Sequence, residues 1–176
     1  MVKLILVVFG IAVVGLLLYA ASRPGNFHIQ RSTHIAASAE KIYPYLSDFH
    51  KGQLWSPYEK KDPAMQRSFS GAENGRGSIY EFAGNREVGK GRLEIVETQE
   101  PTRVVLTLDM REPMQGHNVV TYSIRPDGAG SEVSWAMDGD CNFFGKLMGV
   151  FFNMDKMIGG DFATGLANLK TLVEKG

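Results

Sequence analysis

The chain lacks the features that mark several common functional classes. Nineteen basic and nineteen acidic residues give a net charge of zero, and no dense cluster of lysine and arginine occurs. Nucleic-acid-binding domains usually carry a basic patch, so nucleic acid is not a predicted partner. Cys141 is the only cysteine, which excludes an internal disulfide bond and a cysteine-based zinc site.

Spaced metal ligands and nucleotide-binding loops are also missing. None of the four histidines forms a His-x-x-x-His or His-Glu-x-x-His pair. These histidines are scattered along the chain: His28, His34, His50 and His117. Gly75-Arg76-Gly77 and Gly89-Lys90-Gly91 contain closely spaced glycines, but neither segment opens a predicted helix, so hairpin turns explain them. We therefore predict no metal and no cofactor.

What the chain does have is a long apolar run at its N-terminus. Residues 4–21 carry no charge, and at about 1.5 Å per residue a helix of this length just crosses a hydrocarbon core. A cleaved signal peptide is the alternative, because Lys3 precedes the run and Ala20-Ala21-Ser22 offers a cleavage site. The length exceeds that of a usual signal-peptide core, which favours a membrane anchor. Burial in a soluble core is the third reading, and the breaker-rich linker after the run argues against it.

The domain boundary follows from this run. We expect residues 1–23 to form the anchor or signal peptide and residues 24–176 to form one folded domain. The flanking charges nearly balance, with Lys3 on one side and Arg23 and Arg31 on the other. A short N-terminal tail that carries a lysine favours placement of the folded domain outside the cytoplasm in a single-pass protein.

Alternating apolar and polar residues predict seven strands and one short helix between the first two. The first strand covers residues 27–35, Ser38 caps the helix, and Pro44 disturbs its middle. A loop follows Asp48, and six further strands are predicted at residues 65–70, 78–83, 88–98, 103–111, 117–125 and 132–137. Asn74-Gly75 and Asp127-Gly128 are hairpin signals, so the strands should form an antiparallel meander.

Period-2 alternation also assigns the faces of these strands. Two sets of side chains should point inward, toward the helical layer: Leu93 with Ile95, and Val133 with Trp135 and Met137. Tyr80 and Phe82 should point together on their own strand. The charged series Lys90, Arg92 and Glu94 lies on the opposite face and should be in water.

The C-terminal region predicts one long amphipathic helix that lies across the sheet. Its apolar residues recur at an average spacing of 3.6: Phe144, Leu147, Phe151, Met154, Ile158, Phe162, Leu166, Leu169 and Val173. Met148 and Phe152 widen the apolar stripe in the first half of this helix. Loops, a hydrophobic ligand, a second copy of the chain or the bilayer would have to cover that extra surface.

Two adjacent glycines lie inside this helix, where each costs about 1 kcal/mol relative to alanine. A bend that follows the curved sheet, or the close approach of a ligand or gate, would explain Gly159 and Gly160.

Asp155 and Asp161 lie on the same helix. Only Lys156 is a nearby basic residue in the sequence, so we expect both carboxylates to be solvated at the surface.

Several segments, together with the order of elements, resemble the START-like or SRPBCC superfamily, and in particular bacterial polyketide cyclase/dehydrase-like proteins. They are Trp55-Ser56-Pro57-Tyr58-Glu59 before Asp62-Pro63, Phe152-Asn153-Met154-Asp155-Lys156-Met157, and Gly165-Leu166-Ala167-Asn168-Leu169-Lys170. The resemblance covers residues 27–175. It implies an α+β helix-grip fold, in which a seven-stranded antiparallel sheet wraps around the long C-terminal helix and a cavity for hydrophobic molecules. Catalytic residues are not shared across the superfamily, so none is carried over.

The leading hypothesis is a membrane-anchored START-like domain that binds a lipid, isoprenoid or polyketide-like molecule between sheet and helix. We predict these lining residues: Trp55, Tyr58, Tyr80, Phe82, Trp135, Met137, Met148 and Phe152. A cyclase or dehydratase is an alternative, with His117, Asp155 or a tyrosine handling protons. A ligand-free domain that interacts with another membrane protein is the other alternative. A polar pair with perturbed pKa values inside the cavity would favour the enzyme.

Overall fold

The computed structural model describes residues 2–151 and 153–175, and for Phe144 it describes the backbone only. The helices are α1 (Val2–Ser22), α2 (Ala39–Ser47), α3 (Phe49–Gly52), α4 (Pro57–Lys61), α5 (Phe143–Phe151) and α6 (Met154–Lys175). The strands are β1 (Asn26–Ile35), β2 (Gln66–Gly71), β3 (Ser78–Ala83), β4 (Lys90–Gln99), β5 (Arg103–Glu112), β6 (Gly116–Asp127) and β7 (Gly130–Asp140).

The seven strands form one antiparallel sheet in the order β1-β7-β6-β5-β4-β3-β2. This confirms the predicted meander, and the observed strands differ from the predicted ones by only a few residues at each end. Gly75 and Gly128 adopt positive φ angles of 66° and 59° in the turns before β3 and β7. Such angles are the reason that glycine is favoured in these hairpins.

One face of the sheet is apolar and faces the helices. Leu93 on β4 pairs with Leu108 on β5, and Trp135 on β7 pairs with Tyr122 on β6. The predicted inward sets on β4 and β7 belong to the hydrophobic core or pack against it. On the outer face Arg92 and Glu94 form an ion pair of 2.7 Å. The assignment of faces by alternation is therefore confirmed on these strands.

The C-terminal region forms two helices, so the prediction of one continuous helix is wrong. α5 ends at Phe151 and α6 begins at Met154. Asn153 caps α6, because its side-chain oxygen accepts a hydrogen bond from the Lys156 N–H at 2.9 Å. The two helices have different neighbours: α5 packs against α1, whereas α6 packs mainly against β1 and also contacts α4 and β7.

Residues 39–61 are more helical than the sequence predicted. α2 runs without a break through Pro44, although a disturbed middle was expected, and Ser38 occupies the N-cap position without a side-chain capping bond to the backbone. The predicted loop after Asp48 contains α3 and α4. The Asp48 carboxylate accepts a hydrogen bond from the His50 N–H at 2.8 Å, and Pro57 starts α4 at a position that suits proline.

Helix α6 is fixed to β1 by an ion pair. The Arg31 guanidinium on β1 donates to both carboxylate oxygens of Asp155, at 2.8 and 3.1 Å. Gly159 is buried one turn later, and a Cβ atom there would overlap the same guanidinium. Lys61 forms a further ion pair with Asp161 at 2.7 Å. The expectation that both carboxylates are solvated at the surface holds for Asp155, which is exposed, but not for Asp161, whose side chain is only 23% exposed. Each carboxylate has a basic partner that comes from a distant element.

The second close contact of α6 is at Gly165, which faces two tryptophans. A Cβ atom at this position would lie 2.7 Å from Trp135 Cζ3, 3.1 Å from Pro57 Cδ and 3.3 Å from Trp55 Cζ3. Real Cβ atoms essentially never lie within 3.0 Å of another heavy atom, so the Trp135 ring would have to shift. Gly160 differs from Gly165, because a Cβ atom there would meet nothing within 4 Å.

Helix α1 lies mostly in the open. It is 21 residues long with a mean hydropathy of 2.8 in its most apolar window, and among its described residues only Ala20 is buried. By length and composition it is able to cross a membrane, and a signal sequence at the N-terminus would share these properties.

Gly160 and Gly165 of α6 provide a matched test of its packing. We expect Gly165→Ala to lower the free energy of unfolding by about 1–3 kcal/mol, because the added methyl group overpacks the tryptophan contact. Gly160→Ala should raise it by about 0.5–1 kcal/mol, because alanine favours an exposed helix interior. Urea unfolding of the full chain in detergent, followed by tryptophan fluorescence, measures both. Equal effects would show that α6 does not lie as close to the sheet as described.

Candidate ligand-binding site

Four aromatic rings fill the space between the centre of the sheet and α6. Trp135 stacks on Phe162 with ring centroids 4.2 Å apart and planes inclined by 12°. Trp55 meets Trp135 edge-on at 5.4 Å, and Tyr122 lies 5.4 Å from Trp135 in a tilted arrangement. Edge-to-face and offset-stacked contacts are favourable geometries for such rings, so these contacts stabilise the packing of α6 on the sheet.

The two indole N–H groups in this group of rings differ in their partners. Trp55 Nε1 donates to the carbonyl oxygen of Tyr45 at 2.9 Å. Trp135 Nε1 is buried and has no hydrogen-bond partner among the described residues. A buried donor without an acceptor costs about 1–3 kcal/mol. The Trp135 N–H is therefore a buried donor, and an acceptor atom of a bound molecule would satisfy it.

Two phenol groups border the same region. Tyr58 and Tyr122 are half-buried and pack against the core, and loss of solvent around each raises its pKa well above the usual value. The nearby Asp161 carboxylate raises the pKa of Tyr58 further, and Tyr58 does the same to Tyr122. Among the described residues neither hydroxyl has a hydrogen-bond partner. Both phenols stay protonated at neutral pH and are available as hydrogen-bond donors.

The inner face of the sheet is incompletely covered over β3, β4 and β5. Phe82, Leu93, Leu108 and Met110 point to this face by register, yet all four remain half-buried. α6 lies mainly along β1 and also contacts β7, and α2 packs on β5 and β6. Exposed apolar surface on a concave sheet is typical of a site for a hydrophobic molecule. We call this surface the open half of the inner face.

A second aromatic group lies at the edge of the open half. The Tyr80 ring lies 5.1 Å from Phe69, 5.7 Å from Phe49 and 5.9 Å from Phe82. Its hydroxyl donates to Glu59 at 2.9 Å, and burial followed by the Glu59 charge raises the pKa of this phenol. Its hydroxyl is therefore already engaged, unlike those of Tyr58 and Tyr122.

The Glu59 carboxylate is also neutralised by a cation. Arg67 Nε on β2 donates to its other oxygen at 2.7 Å, and both side chains are largely buried. Arg67 also donates to the Met65 carbonyl oxygen at 2.6 Å. Removal of one partner would leave a poorly solvated charge, so the pair holds α4 on the edge strands.

Two surface pockets lie elsewhere. One, of about 170 Å³, is bordered by Phe49, His50 and Phe69 beside the turn before β3. The other, a shallow groove of about 480 Å³, lies between Leu54 and the last turns of α6. None of the predicted lining residues borders either pocket.

The predicted lining residues separate into three places. Trp55, Trp135 and Met137 are buried in the main core, where Tyr58 packs against them. Tyr80 and Phe82 lie in the second aromatic group, and Met148 lies on α5 beside α1. Phe152 lies outside the described residues.

Sequence reasoning omitted several side chains of this region from the site. Tyr122, Leu108 and Phe162 were not predicted to line it. Tyr122 lies on the same face of β6 as Val120 and Ile124, because the three residues are two positions apart. The period-2 pattern of the sequence could therefore have identified Tyr122.

The candidate proton-transfer groups do not face this region. His117 lies on the outer face of β6 in a 2.5 Å contact with Asp109, and both side chains are exposed. Asp155 is paired with Arg31, which lowers its pKa. Among residues 2–151 and 153–175, no three His, Cys, Asp or Glu side chains come together as a metal site would require.

The raised pKa values predict how the tyrosines respond to alkali. Folding raises the pKa of Tyr122, so above about pH 10, the pKa of an unfolded tyrosine, this phenol ionises in the unfolded chain but not in the folded one. The free energy of unfolding should therefore fall as the pH rises above about 10. In an alkaline titration of the folded chain, Tyr122→Phe should leave the tyrosinate absorbance unchanged up to about pH 11. Loss of one tyrosinate from that variant below this pH would contradict the placement of Tyr122.

Solved structures share this architecture at low sequence identity. A protein of Chromobacterium violaceum superposes with a TM-score of 0.60 at 16% identity, covering 86% of this chain and 99% of that one. A protein of Rhizobium leguminosarum gives a TM-score of 0.63 at 9% identity, with 86% and 96% covered. The major latex-like protein 151 of Panax ginseng gives 0.60 at 11%, with 85% and 98% covered. At these low identities, the structural similarities show that the chain shares the fold of these proteins.

Sequence comparison supplies the family. None of the curated proteins matches the chain. Residues 26–174, which include all seven strands, match the sequence model described as polyketide cyclase / dehydrase and lipid transport. The N-terminal helix α1 lies outside that match. The chain therefore belongs to the polyketide cyclase/dehydrase-like family of the SRPBCC superfamily and has its helix-grip fold.

Proposed function

We propose that the protein is a membrane-tethered module that binds an apolar small molecule on the open half of the inner face. The observation that carries this proposal is the set of half-buried inward side chains on β3, β4 and β5, including Phe82, Leu93 and Leu108. Apolar side chains on a concave surface gain free energy when a ligand removes them from water, at about 25 cal/mol per Å².

Binding fits the ionisable groups better than catalysis does. Glu59 and Asp161 are largely buried carboxylates, 14% and 23% exposed, and each is already paired with a cation, Arg67 or Lys61. The perturbed tyrosines Tyr58 and Tyr122 have pKa values raised away from neutrality. A general base works best when its pKa lies near the operating pH, so these groups are suited to donating hydrogen bonds rather than to abstracting protons.

The chemistry of the site indicates a class of ligand. An apolar body would cover the open half of the inner face, and a carbonyl, ester or hydroxyl oxygen would accept hydrogen bonds from Tyr58 or Tyr122. Lipids, isoprenoids and polyketide-like molecules meet both conditions. Satisfying a donor of this kind is worth about 0.5–1.5 kcal/mol, so the apolar body supplies most of the affinity.

The tether consists of residues 1–23, and the binding domain begins at residue 24. In this proposal α1 is retained as a single membrane span and the domain lies outside the cytoplasm, in keeping with Lys3 before the apolar run. The tether would keep the site close to a supply of hydrophobic molecules.

Native mass spectrometry of the full chain, purified in detergent from membranes of its own host, tests the proposal. We expect a bound apolar molecule at one copy per chain, which lipid extraction and fragmentation would identify. Its conversion by the purified protein would show an enzyme instead. Repeated isolation of empty chains that also fail to bind added host lipids would contradict the binding function.

A pair of neighbouring residues on β5 locates the site. Leu108→Trp adds bulk on the inner face and should weaken binding of the apolar probe N-phenyl-1-naphthylamine by about tenfold, which is about 1.4 kcal/mol. Thr107→Trp adds the same side chain on the outer face and should leave the affinity unchanged. Probe fluorescence titration measures both, after circular dichroism has shown that each variant is folded. Equal affinities would move the site away from β5.

A further inference from the structure

The exposed large apolar side chains are concentrated at one end of the folded domain. Outside α1, the described residues of this kind are Leu54, Met114, Val119, Phe143, Phe151 and Met157. Met114 lies in the turn between β5 and β6, Phe143 and Phe151 lie on α5, and Met157 lies in the first turn of α6. Single exposed apolar residues are normal, but their accumulation at one place indicates an interaction surface.

This end of the sheet is also the end that carries the membrane helix. β1 begins there at Asn26, directly after α1, and β7 ends there at Asp140, directly before α5. Because the sheet is an antiparallel meander, the turn between β5 and β6 lies at the same end. We call it the anchor end.

Helix α5 is held against the base of α1. Arg23 Nη1, just after α1, donates to the Gly149 carbonyl oxygen of α5 at 2.7 Å. The Cys141 N–H donates to the Gly25 carbonyl oxygen at 2.8 Å, which fixes the start of α5 beside the linker. α5 therefore lies at the level where α1 would leave the hydrocarbon core.

We propose that α5 lies in the interfacial layer of the bilayer that holds α1, with Phe143 and Phe151 among the lipid chains. This inference rests on the proposed function, because it requires α1 to be a membrane anchor. Arg23 lies at the exit of α1, and Lys146 Nζ comes within 3.9 Å of a Cβ atom built on Gly25. Both cations are at the height of the lipid headgroups, where long basic side chains are favourable.

The placement has a consequence for ligand exchange. Phe82 and Met110 are half-buried and lie close to the anchor end of β3 and β5, so the open half of the inner face opens toward this end. With α5 in the interface, an apolar molecule would pass between bilayer and site without crossing water. That route removes the cost of exposing the molecule's apolar surface during transfer.

Two tryptophan substitutions at equally exposed positions test the placement of α5. Phe151 on α5 and Leu54, beside the far end of α6, are each 63% exposed. The native Trp55 and Trp135 are only 3% and 6% exposed and serve as a constant background. We would insert full-length Phe151→Trp and Leu54→Trp into phosphatidylcholine vesicles, with and without bromine in the upper half of one acyl chain.

The measured quantity is the added emission, which is the tryptophan fluorescence of a variant minus that of the unsubstituted chain. We expect bromine to reduce the added emission of Phe151→Trp by about half or more, because an interfacial helix lies among the upper acyl carbons. The added emission of Leu54→Trp should not change. Equal, unquenched emission from both variants, in protein that floats with the vesicles after a carbonate wash, would overturn the placement of α5 while leaving the anchor intact. Protein that fails to float would overturn both the tether and this inference.

Discussion

The close approach of α6 to β1 and β7 is the constraint on which the rest of the domain depends. Gly159 leaves room for the Arg31 guanidinium, which binds both carboxylate oxygens of Asp155. Gly165 leaves room for Trp135, whose ring stacks on Phe162 at 4.2 Å. Any larger residue at either glycine would push the helix away from the sheet, and the stacked rings would lose their contacts.

Because α6 lies mainly along β1, it does not cover the inner face over β3, β4 and β5, which α2 and α3 cover only in part. The other helix of the C-terminal region, α5, does not close this surface, because it packs against α1. The domain therefore combines a tightly packed half with an open apolar half. The opening points to the end of the sheet where the chain joins its N-terminal helix, which unites the proposed ligand site and the proposed tether in one arrangement.

Local patterns predicted the strands and their faces, because period-2 alternation and the hairpin glycines act within a few residues. They did not predict the break before Met154, where Asn153 caps α6 inside an apolar stripe that continues at helical spacing. Nor did they predict the pairing of Asp155 with Arg31, since the partners are 124 residues apart in sequence. That the Trp135 N–H lacks a hydrogen-bond partner among residues 2–151 and 153–175 was likewise not predictable, because it depends on how segments distant in sequence pack around the ring.

The most direct test of the account uses a photoactivatable, clickable lipid supplied to host membranes that contain the full chain. After illumination, mass spectrometry of the digested protein locates the cross-links. The account predicts cross-links in peptides of α1, of α5 and of the strands β3, β4 and β5, the last reduced by competition with unlabelled apolar ligand. Cross-links confined to α1, with none on the strands, would contradict the claim that apolar molecules from the bilayer occupy the open half of the inner face.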